Sequence, residues 1–290
     1  MRWIRLKSSK IKVYGKEGRL LPKGMTEEHT AFLHNLLSND IRGMANHTMT
    51  YNLWLRQNGF PIGEFYVLKL ENSYLLDTPL DKDFVVEEFN RLKLSMRVYF
   101  EALELDHVFV FGEGSRNFIL SNFGVELKGG EVKEMKGVLV VGNYIRLREE
   151  GYDIVGKDLK LNLKEEEEIK EEDFEHERIW RLVPKLGKEL KEGFSPLEAC
   201  LLDYAISLNK GCYVGQEAIA RVYYRGRPAR VLALFEGDNL SEGKALFVGE
   251  KRVGVITSVS PKGGIALGYL LRSALGERLE EGIRLIKTCG

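Results

Sequence analysis

Glutamine is nearly missing from this chain: Gln57 and Gln216 are the two in 290 residues, beside a large complement of lysine and glutamate. Few glutamines among many opposite charges is the compositional lean of heat-adapted proteins. Cysteine is scarce too. Cys200, Cys212 and Cys289 show no CxxC spacing, no histidine pair nearby and an odd count, which argues against a disulfide framework, a zinc site or a cluster held by this chain alone. Any iron–sulfur cluster would be shared with another protein, and no metal ligands are assigned. Net charge is also lacking: lysine plus arginine and aspartate plus glutamate both number 43, so wholesale nucleic-acid binding is not indicated. No apolar run approaches the roughly 18 residues of a membrane span. The opening MRWIRLKSSK has no apolar h-region, so the expected location is cytoplasmic, with no membrane partner.

What is present suits a globular protein with a heavily charged surface, 44% hydrophobic and 30% charged, and long enough for two domains. Thr26 reads as an N-cap with Glu27 and Glu28 in the first turn, and Phe32, Leu33, Leu36 and Leu37 share a face, which predicts a helix over 27–38. Residues 49–55 alternate, Asn58-Gly59 signals a hairpin, and apolar strands over 65–70 and 74–76 continue a meander. A helix over 81–94 is expected with Phe84, Val85, Phe89 and Leu92 inward. Strands are predicted over 96–103, 107–111, 137–141 and 143–148. The run KEEEEIKEED, 164–173, reads as a solvated helix face or its entry. From Arg230 onward, short strands over 230–235, 244–248, 252–258 and 264–269 are separated by glycines, the pattern of a small barrel or sandwich, with a boundary near residue 225.

The densest chemistry lies at Lys210-Gly211-Cys212-Tyr213-Val214-Gly215-Gln216-Glu217. Glycines on both sides of a lone cysteine let backbone approach a ligand, and Lys210 would favour the thiolate. The simpler alternative is a tight turn with a small buried thiol. For Cys200, in the apolar run 199–202, a buried structural thiol is expected, and Cys289 is expected to fray near the chain end. Tyr223, Tyr224, Arg225, Arg227 and Arg230 interleave aromatic and basic residues, which suits single-stranded nucleic acid but better suits a strand with one exposed face. His29, His34, His47, His107 and His176 are scattered and take no catalytic role.

The run KGCYVGQEAIARVYYRG, 210–226, resembles the signature of the YgfZ family, folate-binding proteins related to the glycine-cleavage T-protein (aminomethyltransferase). Arg178-Ile179 with Pro184, then Pro196-Leu197-Glu198-Ala199, keep that family's order and rough spacing. Phe32-Leu33 with Ser38-Asn39-Asp40 is similar to its FLQ…TND segment. The resemblance implies an α+β, T-protein-like folate-binding region over 1–225, with a small C-terminal β-barrel-like domain over 226–290. It implies tetrahydrofolate in a central channel, iron–sulfur client or assembly proteins as partners, and a role in iron–sulfur protein maturation or repair and tRNA modification. Cys212 and Lys210 are the candidate catalytic residues. Asn39, Asp40, Tyr51, Glu64, Trp180, Gly211, Tyr213, Gly215, Gln216, Glu217 and Arg221 are the candidate cofactor-binding residues.

Two departures from the T-protein pattern bear on the reaction. Where that pattern has GGxxDD, this chain reads Gly59-Phe60-Pro61-Ile62-Gly63-Glu64, leaving Gly63 opposite the first acid and Glu64 opposite the second. Aminomethyl transfer needs a carboxylate at the reacting nitrogen; the alternative for Glu64 is a solvent-facing strand end. Where the pattern reads RIEAGIP, the pterin-gripping acid is replaced by Trp180, which stacks on a flat ring but accepts no hydrogen bonds. Two other classes stay open: an aminomethyltransferase using Glu64 or Asp40, and a non-catalytic RNA or protein partner using 221–230.

Overall fold

The computed structural model describes residues 1–16, 27–163, 166–280 and 282–290. It resolves into two compact units that interleave along the chain. The first comprises Met1–Leu55, Gly63–Glu168 and Tyr204–Val214; the second comprises Arg56–Ile62, Ile169–Asp203 and Gly215–Gly290. The whole of 226–290 lies in the second unit, together with two earlier segments and residues 215–225.

Among the described residues the first unit holds strands β1 (Arg2–Arg5), β2 (Ser9–Tyr14), β3 (Thr48–Leu55), β4 (Pro61–Lys69), β5 (Ser73–Thr78), β6 (Tyr99–Leu103), β7 (Asp106–Phe111), β8 (Val132–Met135), β9 (Val138–Gly142), β10 (Gly151–Gly156) and β11 (Glu167–Glu168), with helices α1 (Glu28–Leu36), α2 (Lys82–Leu92) and α3 (Ser115–Phe123). One sheet runs β11-β1-β7-β10-β9-β8 and the other β3-β4-β5-β2-β6. Met49, Leu68 and Leu75 of the second sheet meet Val132, Leu139, Val141 and Val155 of the first in a shared apolar layer. The other face of the five-stranded sheet carries an aromatic cluster: Phe89 of α2 touches the rings of Phe32, Trp54, Phe65 and Phe100. Such rings contribute area burial plus edge-to-face attraction.

Several sequence expectations hold and several fail for identifiable reasons. Gly59 takes φ +80° at the expected turn, where Arg56 N–H donates to the Phe60 carbonyl. Asp81 caps α2, accepting from Asp83 and Phe84 N–H. Phe84, however, is 47% exposed and Leu92 half-buried, because only one narrow stripe of this short helix, Val85 and Phe89, faces the sheet. The expected N-cap Thr26 lies outside the described residues, as do positions 164 and 165 of the charge run. The strand expected over 143–148 is a turn: Asn143 Oδ1 accepts from the Ile145 and Arg146 N–H groups, which competes with strand pairing. The strand follows at β10.

The second unit holds α4 (Glu171–Trp180), the C-terminal sheet and α6 (Gln216–Tyr224); a short turn, α5 (Leu202–Ala205), precedes α6. Strands β12 (Arg230–Gly237), β13 (Ala245–Val248), β14 (Lys251–Val259), β15 (Ile265–Leu271) and β16 (Ile283–Thr288) form an antiparallel sheet ordered β13-β14-β15-β12-β16, curled into a half-barrel around Phe235, Leu246, Ile256, Ala266 and Leu270. Of the stretch from Tyr223 to Arg230, expected as a strand, Tyr223 and Tyr224 instead end helix α6 and Arg230 alone begins a strand, β12: Gly215 at φ +85° opens the helix and Ile219 is its one buried anchor. Cys200 and Cys289 are neither a buried thiol nor a frayed end but a disulfide across 89 residues. The C-terminal segment is held in place because the Cys289 N–H pairs with the Leu232 carbonyl, which brings the two sulfurs together.

Candidate functional site

The first half of the KGCYVGQE motif belongs to the first unit and is anchored by the end of α1. That helix leaves carbonyls without partners, the negative end of its dipole. Lys210 Nζ donates to the carbonyls of His34 and Leu37, each at 2.5 Å, and of Asn39 at 2.8 Å. Three acceptors match the three N–H bonds of an ammonium, while burial pulls the Lys210 pKa down to about 7. The ammonium also lies 4.8 Å from the centroid of the Tyr213 ring. Lys210, expected to tune the Cys212 thiol, therefore directs its hydrogens to the backbone, with Gly211 alone between it and the cysteine. The Cys212 thiol is free and exposed. Tyr213 is buried, its hydroxyl has no partner among the described residues, and burial pushes its pKa up to about 12.

The Ser38-Asn39-Asp40 segment is the bracket for this loop. Ser38 Oγ donates to the Ala205 carbonyl at 2.6 Å and accepts from Leu53 N–H. Asn39 Nδ2 donates to the carbonyls of Tyr51 and Tyr204 at 3.2 and 3.1 Å, and its Oδ1 accepts from Asp40 N–H, so the side chain ties β3 to the loop. Asp40 Oδ1 accepts from Gly43 N–H at 3.0 Å and lies 3.3 Å from His34 Nδ1. Burial and the Lys210 charge lower the His34 pKa, which suits an Nδ1 that accepts from Arg42 N–H.

Beside this bracket, Tyr51 donates its hydroxyl to Glu64, and its ring lies 5.0 Å from that of Tyr66. Glu64 is thus a half-buried, hydrogen-bonded carboxylate, not a solvent-facing strand end. Burial first, and the Glu64 charge second, hold the Tyr51 hydroxyl well above its ordinary range, which keeps it a donor. Gly63 is walled in: a Cβ there would come within 2.9 Å of Leu80 Cδ1 and 3.1 Å of the Phe65 ring. Arg148, at φ +52°, places its guanidinium 5.7 Å over the Tyr204 ring, and Tyr144 lies 6.3 Å from the same ring.

A buried ionic network, invisible in the sequence because its members are scattered, backs this face. Arg146 stacks 4.2 Å over Tyr66, and pairs with Asp77 at 2.8 Å and Asp153 at 2.9 Å. Lys10 pairs with Asp77 at 3.0 Å, and His107 Nε2 and Asn143 Nδ2 meet Asp153 at 2.9 and 2.7 Å. The cations overcome the cost of burial and hold Asp153 at about 2 and Asp77 well below the carboxylate range; burial lowers the pKa of His107. Two acids balance two cations, the condition for tolerating buried charge.

The remaining candidates, Trp180, Gly215, Gln216, Glu217 and Arg221, belong to the second unit. Trp180 is 46% exposed with Lys287 Nζ 4.9 Å from its ring centroid. Gly215 starts α6, whose Glu217 and Arg221 are exposed. The other motif residues are structural: Arg178 donates to Glu175, Glu189, Ser258 and the Val183 carbonyl, and Glu198 receives Arg230 through two nitrogens at 2.8 and 3.0 Å. A cleft of about 620 Å³ lies in the first unit, lined by Arg116, Lys128, Tyr144, Glu149, Glu150 and Tyr152 among others. It includes none of the residues expected from the sequence. Among the described residues no group of histidine, cysteine, aspartate and glutamate is arranged to hold a metal.

The fold is that of the glycine-cleavage aminomethyltransferases: the structure aligns with aminomethyltransferase T from Bartonella henselae at a TM-score of 0.77 and 16% identity, covering 94% of this chain and 78% of that one. The aminomethyltransferase of Listeria welshimeri is 26% identical over 299 residues, 92% of this chain and 80% of its own length. No protein-family profile matches. An uncharacterized protein of Aquifex aeolicus is 55% identical over 145 residues, 49% of this chain and 97% of that protein, and the chain belongs to that protein's family.

Proposed function

We propose that the protein is a tetrahydrofolate-binding accessory factor of the YgfZ type, acting in maturation or repair of iron–sulfur proteins, including those that modify tRNA, through Cys212. The observation that carries the reading is the pair of positions 63 and 64. The first is a glycine, where any side chain would have to displace Leu80 and press on the Phe65 ring, and the second is engaged by Tyr51. One tethered acid is a poor substitute for the two-acid arrangement expected of an aminomethyltransferase.

The first unit's residues fit a folate. A buried tyrosine hydroxyl without a partner is a donor or acceptor awaiting one, and Tyr213 supplies it. Tyr144 and Tyr204 offer planar faces, Arg148 a guanidinium for a glutamyl carboxylate, and Tyr51 with Glu64 a hydrogen-bonding edge. Bound tetrahydrofolate supplies nitrogens that carry one-carbon units. The free, exposed thiol of Cys212 is the group a client protein would meet.

Calorimetry with tetrahydrofolate tests the folate half. Tyr213→Phe removes an unpartnered hydroxyl, so stability is expected to hold or rise slightly, while affinity falls by up to about tenfold for one lost hydrogen bond. Equal affinity would remove Tyr213 from the site. Given an aminomethylated carrier protein, the purified chain is expected to form no methylene-tetrahydrofolate above background; turnover would overturn the accessory reading. In cells lacking their own YgfZ-type protein, wild type should restore an iron–sulfur tRNA-modifying activity and Cys212→Ala much less.

A further inference from the structure

We propose that the outer face of α6 and the turn after it, Arg221 to Arg227, is a docking surface for single-stranded nucleic acid. Over residues 218–235 the sequence has four arginines and no acid, in a chain whose charges cancel overall. Of the four, Arg230 is neutralised by Glu198. Arg221, Arg225 and Arg227 are exposed and have no ion-pair partner among the described residues. Arg116, Arg146, Arg178 and Arg284 are paired, while Arg42, Arg97 and Arg252, which also have no ion-pair partner among the described residues, are far apart in the sequence. Leaving three together unpaired gives this stretch a local positive field at no benefit to the fold.

The aromatic residues point the same way. Tyr224 is 77% exposed and Tyr223 41%, their rings in edge contact at 5.2 Å. Helical spacing places Arg221, Tyr224 and Arg225 on one face, and Gly226, at φ +108°, turns the chain so that Arg227 follows directly. A large ring left in water beside guanidinium groups matches a ligand with both negative charge and flat faces: phosphates for the arginines, unpaired bases for the tyrosines. A duplex hides its bases from stacking, and an acidic peptide would engage the arginines but offer Tyr224 no planar partner. The surface lies wholly in the second unit and does not depend on the folate reading.

Fluorescence anisotropy on the full chain with a labelled single-stranded oligonucleotide tests it, with the matching duplex and polyglutamate as competitors. The single strand is expected to bind and to outcompete both, with a log–log salt slope near −2 for three phosphate contacts, at roughly −0.7 each. Tyr224→Ala should weaken binding by roughly tenfold or more, the usual worth of one stacked base, while Tyr224→Trp retains it. Replacing Arg221, Arg225 and Arg227 together with glutamine should abolish the salt dependence. All are exposed, so thermal unfolding should be unchanged. No binding, equal competition by duplex or polyglutamate, or indifference to Tyr224→Ala would overturn the proposal.

Discussion

Each unit contains a buried ionic centre, and the two are built differently. In the first, Lys10 and Arg146 face Asp77 and Asp153, with His107 among them, and the members come from both sheets. In the second, Glu189 is the hub. It accepts from Arg178, from the Lys185 N–H, and from the hydroxyls of Thr257 and Ser258, which fastens α4 to the half-barrel. The first centre divides its charge among several partners and contains a histidine, so it can be unbalanced by protons. The second rests on one carboxylate surrounded by donors, so it is vulnerable to loss of a single group.

The largest expected effect is therefore Glu189→Ala, which leaves the buried Arg178 guanidinium with Glu175 as its acid and takes the carboxylate acceptor away from the Lys185 N–H and from the hydroxyls of Ser258 and Thr257, the last of which keeps the Leu267 carbonyl. Loss of about 3–5 kcal/mol in urea unfolding is expected, as when one member of a buried pair is removed; a loss below about 1 kcal/mol would show that the hub is not central. A double replacement, Glu189→Met with Arg178→Met, should recover part of it.

Next comes the disulfide, which has no counterpart in the first unit. Closing a loop of 89 residues limits the unfolded chain, and its reduction is expected to cost about 2–4 kcal/mol. Cys200→Ser and a reductant should then give the same unfolding midpoint. A reductant effect that persists in Cys200→Ser would locate the sensitivity elsewhere.

Acid should act on the first centre with a smaller amplitude. Burial lowers the His107 pKa in the folded state, so below about 6.5 the unfolded chain takes up a proton that the folded chain refuses, and stability begins to fall. Asp153 is held at about 2 against an ordinary 3.8. Its contribution, about 2 kcal/mol for a shift of that size, is full above pH 4 and is lost as the pH falls toward 2. Asp77, lowered in the same direction, adds to this loss. Unfolding followed from pH 7 to pH 2 checks the sign, and His107→Gln should remove the upper part of the decline. Rising stability on acidification would refute the assignment of charges.

Much of the fold was legible where local chemistry sets local structure. Asn58-Gly59 marked its turn, Asp81 its helix start, and the alternation after Met49 its strand, because each depends on neighbours a few residues away. The site was legible as a motif but not as a set of contacts. Lys210 beside Cys212 suggested a tuned thiol, yet the ammonium is taken by carbonyls of α1, about 170 positions away in sequence. Residues 223–230 read as a strand because interleaved tyrosine and arginine suits a half-exposed surface of either kind. The glycine at 215 and the single anchor Ile219 decided for a helix.

By itself the sequence determined the class of architecture, the hairpin and cap positions, the glycine-flanked thiol and the missing acid at position 63, all properties of residue type and near spacing. Tertiary structure alone decided which charges are buried together, that Cys200 meets Cys289, that Glu64 is bound by Tyr51, and that Tyr213 keeps an unpartnered hydroxyl. The reason is physical. Pairing across separations from 13 residues for Tyr51 and Glu64 to 89 for the two cysteines depends on where the sheets and loops bring backbone together, and no local preference encodes it.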